Sequence, residues 1–90
     1  MSEALPGAEI VERGIEDLAR GVESQEALLV SIGAHRLRLI GFAVPETVPS
    51  PEDRLYELLA RVDPDAAHSR TNALIRRLVS FERAAECAAP

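Results

Sequence analysis

Six residues near the C-terminal end set the tightest limit on how this chain folds. Ala67, Thr71, Leu74, Leu78, Phe81 and Ala85 recur at alternating spacings of four and three. That rhythm keeps one stripe of a helix turned toward a single neighbour, and Ile75 and Val79 widen the stripe to one side. A stripe sustained over nearly three heptads must be covered by other helices.

The preceding sequence supplies them. Val11, Ile15, Leu18 and Val22 recur at spacings of four, three and four, which is one face of a helix from about 8 to 20. Glu9 with Arg13 and Glu16 with Arg20 are acid-first i,i+4 pairs, and Gly21 is placed to end the helix as a left-handed residue. Ser24 is a hydroxyl cap for a second helix, with Glu26 in its first turn and Leu28, Leu29 and Ile32 on its buried side. Run unbroken to residue 40, that helix would set Arg36 inside its own apolar stripe, so a break at Gly33 is expected. Gly41 ends the segment. Residues 43–51 carry Pro45, Pro49 and Pro51 and read as an extended connector.

Two further starts follow. Ser50-Pro51-Glu52-Asp53 combines a hydroxyl cap, proline at the first helical position and acids in the first turn. The helix it opens presents Leu55, Leu58, Leu59 and Val62. Asp63-Pro64-Asp65 repeats the grammar and opens the helix that carries the heptad stripe. Only residues 36–40 alternate with period two, and their flanks are helical. The sequence thus predicts an all-α fold. It is a small bundle of four main helices at about 8–20, 25–40 (broken at Gly33), 51–62 and 64–87. Residues 8–87 form one helical domain, with flexible flanks at 1–7 and 88–90.

Composition narrows the function. Aromatic residues make up 3% of the chain (Phe42, Tyr56 and Phe81), too few to stack the bases of single-stranded nucleic acid. The net charge is −5, and all of that excess lies in residues 1–34; residues 35–90 hold eight arginines against eight acids. Such a balance argues against binding a phosphate backbone. A single cysteine, Cys87, excludes an internal disulfide or a cysteine zinc cluster. With no signal-peptide pattern at the N-terminus and no apolar run beyond four residues, a cytoplasmic protein without a membrane partner is expected.

Three places carry residues that chemistry could use. Arg61 and His68 have six residues between them, a spacing that resembles the Arg-x4–6-His motif of HEPN-type helical ribonucleases. The resemblance implies a histidine exchanging a proton and an arginine holding phosphate charge, with Asn72 and Arg70 as added donors. Asp63 and Asp65 lie between the pair and would repel a phosphate. Ser24 to Phe42 resembles a helix-turn-helix, with His35, Arg36 and Arg38 placed toward a groove, although Leu29 stands where a small residue is needed. The two histidines have no ligand partner at i+3 or i+4, so neither a metal nor a cofactor is expected.

The third place is the heptad face itself. Arg70 and Arg77 lie seven apart along one edge of it, close to Phe81, while Arg76, Ser80 and Arg83 line the other side. An apolar seam edged with arginine suits a helix that carries carboxylates. The expected function is therefore non-catalytic: a small helical interaction or regulatory protein. It would associate with itself or bind a protein partner through Arg70, Leu74, Arg77, Leu78 and Phe81.

Overall fold

The computed structural model describes residues 5–88. Five helices, with no strand among the described residues, follow one another along the chain: α1 (Ala8–Ala19), α2 (Gln25–Ile32), α3 (Ala34–Ile40), α4 (Pro51–Val62) and α5 (Ala67–Ala88). The count is five rather than four because Gly33 divides the second predicted helix completely. Gly33 sits at φ −95° and ψ 10°, outside the helical well, so one helix ends and the next begins there. A Cβ at Gly33 would lie 2.9 Å from Leu78 Cδ2 and 2.8 Å from Glu82 Oε2, so the missing side chain makes room for α5.

α2 is the centre of the molecule. Ala27, Leu28, Leu29, Val30 and Ser31 are all buried, the pattern of a helix covered on every side rather than one with a wet face. α1 lies along one flank, close enough that a Cβ on Gly14 would overlap Val30 and the carbonyl of Glu26. α4 covers another flank and runs antiparallel to α2. Val48, just before α4, donates its N–H to Ser31 Oγ (3.2 Å) near the end of α2, while Arg54 makes two 2.8 Å bonds to Glu23 near its start. The heptad stripe of α5 closes the core: Ala67, Thr71, Leu78, Phe81 and Ala85 are buried and Leu74 is half-buried. Phe42 packs on Phe81 with ring centroids 5.5 Å apart.

The helix ends follow local chemistry. Ser24 Oγ accepts from Ala27 N at 3.0 Å and donates to buried Asp17 Oδ2 at 2.5 Å, so one hydroxyl caps α2 and ties it to α1. Gly21 and Gly41 both adopt positive φ (72° and 115°) and close α1 and α3 with paired bonds. These are Val22 N to Asp17 O with Gly21 N to Leu18 O, and Phe42 N to Leu37 O with Gly41 N to Arg38 O. The connector is pinned where Arg38 donates to the carbonyls of Val44 (3.1 Å) and Pro45 (2.8 Å).

Some expectations need correction. Ser50 does not cap α4: it sits at φ 49°, left-handed, and its side chain makes no cap bond. α5 starts at Ala67 rather than 64, because Asp63 Oδ1 accepts from Asp65 N and Ala66 N and holds the intervening residues in a turn. Val22 and Val62, both expected to face inward, are 41% and 76% exposed. Glu9 pairs with Arg77 on α5 and not with Arg13, which lies beside Asp17.

Of the flanks expected to be flexible, Leu5–Gly7 form a turn packed toward α5; Gly7 is buried, and a Cβ there would lie 3.4 Å from Phe81 Cβ. Ala88 belongs to α5. Residues 1–4 and 89–90 lie outside the described residues.

Candidate functional site

The seam of α5 has two uses, and burial separates them. Leu78 and Phe81, assigned from sequence to partner binding, are each 3% exposed and belong to the chain's own core. An amphipathic stripe has the same spacing whether it faces its own bundle or another protein, and here its central residues are already covered. That corrects the expectation for these two positions. Arg70, Leu74 and Arg77, from the same set, lie on the border of the stripe and line open surface.

Two clefts meet on this border. The larger, about 680 Å³, is walled by Leu5, Pro6, Gly7 and Glu9 on one side and by Ala73, Arg76, Arg77 and Ser80 on the other. The smaller, about 240 Å³, lies between Gln25 and Leu59 on one side and Arg70, Ala73, Leu74 and Arg77 on the other. Ala73 and Arg77 line both, so together they make one furrow along α5. Its floor is Ala73 and Leu74, both apolar, and three guanidinium groups edge it.

Helix geometry puts those arginines there. Arg70, Ala73, Leu74 and Arg77 are spaced by three and four and share one side of α5, while Arg76 and Ser80 lie one step around the helix beside Ala73. Arg77 Nη2 stands 3.5 Å from Glu9 Oε1, at the outer limit of a hydrogen bond, with both side chains largely exposed. Arg70 and Arg76 take part in no ion pair among the described residues. The furrow therefore presents positive charge that the chain itself compensates only at one point, and weakly.

A second charged cluster lies at the α3–α5 edge. Arg36 donates Nε to Glu86 Oε1 at 2.7 Å, and its Nη1 stands 3.7 Å from Oε1 of Glu82. Glu82 is 3% exposed, and its Oε2 is buried without a hydrogen-bond partner. Burial pushes its pKa above the usual carboxylate value, opposed by the charge of Arg36 and reinforced by that of Glu86. The hydrogen bond from Arg36 holds Glu86 below its usual value.

The other sequence candidates fall elsewhere. Arg61 lies in the last turn of α4, while His68 and Asn72 lie in the first turns of α5; all three are exposed, and none lines the furrow. Of the residues that a helix-turn-helix would turn toward a groove, Arg36 is held by Glu82 and Glu86, and Arg38 by two carbonyls. His35 is exposed. Cys87 is exposed on the last turn of α5. No group of three or more histidine, cysteine or carboxylate side chains among the described residues is placed to hold a metal ion. Among the described residues, no helix is long and apolar enough to cross a membrane.

Sequence reasoning missed Ala73, Gln25, Leu59 and the Leu5–Gly7 wall. The position of Ala73, between Arg70 and Arg77 on the same side, was the one available signal, since a small residue there leaves a gap between long ones. Comparison with protein-family models, with curated proteins and with solved structures finds no significant match to this chain.

Proposed function

We propose that this chain is a non-catalytic protein-interaction module whose α5 furrow seats an acidic helix of a protein partner. The observation that carries the reading is the composition of the furrow: an apolar floor of Ala73 and Leu74 between Arg70 and Arg76, which enter no ion pair among the described residues, and Arg77, which meets Glu9 only at 3.5 Å. A guanidinium meets a carboxylate through two parallel charge-assisted hydrogen bonds, stronger than neutral ones. A docked helix would cover Ala73 and Leu74 with its own apolar stripe and meet Arg70, Arg76 and Arg77 with acids on either side. Arginine is also the charged residue most enriched at the centres of protein interfaces.

The test is a titration followed by amide NMR. The labelled chain is mixed with a synthetic amphipathic helix that carries Glu in i,i+4 pairs beside a leucine stripe, and separately with its Lys counterpart. The acidic peptide should shift the amides of Ala73, Leu74 and Arg77, with the response weakening as salt screens the charges. The Lys peptide should leave them in place. If those amides stay unmoved by the acidic peptide up to about 1 mM, a concentration that detects even millimolar affinities, the reading fails.

A further inference from the structure

The chain carries a surface that matches its own furrow. Asp53 and Glu57 are i,i+4 neighbours on α4, as are Glu52 and Tyr56, so the four make one patch. All four are exposed, and Tyr56, the one tyrosine of the chain, is 42% exposed. None of the three carboxylates enters an ion pair among the described residues. Arg54, on the same helix, is held by Glu23 through two bonds and feels Glu57 only as a nearby charge. Three acids outside any ion pair surround a half-exposed ring and face solvent on α4. On α5, three arginines, two of them uncompensated, surround an apolar floor.

From this pairing we infer that the occupant of the α5 furrow is the acidic face of α4, around Tyr56, from a second copy of the same chain. The inference rests on the reading of the furrow given above and names its partner. Both surfaces belong to one chain, so a two-fold axis makes each contact twice: α4 of one protomer enters the furrow of its partner and receives the reverse. Val62, three residues beyond the furrow-lining Leu59 on α4, is 76% exposed and leaves a further apolar side chain on this helix in solvent. A tyrosine ring on Ala73 and Leu74 with arginine–carboxylate pairs at its rim has the composition of an interface centre.

Charge reversal with mixing tests this directly. One variant carries Arg70→Glu and Arg76→Glu, which spares the Arg77 pair with Glu9; the other carries Asp53→Arg and Glu57→Arg. Sedimentation velocity is run from about 10 µM to about 1 mM, the range in which weak dimers form. The native chain should show a sedimentation coefficient that rises with concentration. Each variant alone should stay monomeric, since acids then face acids or arginines face arginines.

An equimolar mixture should associate again: in one of the two contacts the reversed furrow meets the reversed α4 face, opposite in charge once more, and in the other both faces are native. Recovery on mixing also shows that both variants are folded. A native chain that is monomeric throughout overturns the inference. So does association that either variant retains. The acidic-peptide titration separates the two claims: a monomer that still binds the peptide keeps its furrow and takes another protein in it, while a monomer that ignores the peptide loses both readings.

Discussion

Glu82 shows what one residue in the wrong solvent does to a fold. Its carboxyl group is covered by α3 and α5, one oxygen lacks a hydrogen bond, and the nearest cation, Arg36, stands 3.7 Å from the other. A folded-state pKa above the unfolded value means that the native chain keeps a proton that the unfolded chain has lost. The stability contributed by that proton is full below the ordinary glutamate value and is lost as pH rises through the raised one. Glu86 works in the opposite sense. Its bond to Arg36 contributes above its ordinary pKa and is lost as pH falls through the lowered value.

Glu82→Gln keeps the shape and removes the titration. Urea unfolding from about pH 4 to pH 8 should find the native chain losing more stability toward the upper end than Glu82→Gln does. Parallel curves would mean that Glu82 is ionised across the range. Its burial was readable in principle, since position 82 lies four after Leu78 and three before Ala85 and so falls beside the stripe. A glutamate there reads as a solvated edge because burial of an acid is rare, and only the gap opened by Gly33 permits it.

Among the elements, the two glycines inside the fold act differently. Gly14 lets α1 lie against the backbone of α2; at Gly33 an added side chain would meet only side chains of α5. Gly14→Ala should therefore destabilise the protein by about 1–3 kcal/mol, although alanine is favoured in a helix by about 1 kcal/mol. Thermal unfolding followed by circular dichroism reads the difference, and an unchanged or raised midpoint would deny the close approach. α2 and α3 should also part in amide exchange. α2 buries five successive residues, whereas α3 buries only Ala34 and Leu37 and leaves Leu39 74% exposed. The slowest amides are expected in α2, and those of α3 should exchange by smaller, local openings. Equal protection in the two would show that they open as one unit.

Most helix ends were legible because capping is local. Gly21, Ser24, Gly33 and Gly41 stop or start helices within a few residues of themselves. Ser50 was misread because φ is decided by where the connector must enter α4, and that is tertiary information. Val62 was misread because its spacing fits the buried face, yet it is the last residue of α4, where the chain passes at Asp63 into extended backbone.

At the scale of the whole molecule, one core draws on all five helices, from Val11 and Leu18 through Leu28 and Leu37 to Leu55 and Phe81. Its parts do not stand alone, so urea unfolding should follow a single transition by both circular dichroism and Tyr56 emission. Two separated midpoints would mean a smaller cooperative unit. Leu74, Arg70 and Arg77 were legible as a surface because arginine borders mark where a stripe meets solvent. Which part of the stripe was already spent on the core was not legible. That depends on how far α3 and the Phe42 connector reach across α5, and spacing within α5 carries no trace of it.

The long reach of α5 has a consequence for how the chain is made. Its contacts join residues far apart in sequence: Arg77 meets Glu9 across 68 positions, and Glu86 meets Arg36 across 50. During synthesis, α1 and α2 can pair early, but the face that Leu78, Phe81 and Ala85 cover stays bare until the ribosome has released residue 85. Until then the nascent hairpin of α1 and α2 stands with an uncovered apolar face, and the arrival of α5 is what withdraws it from water.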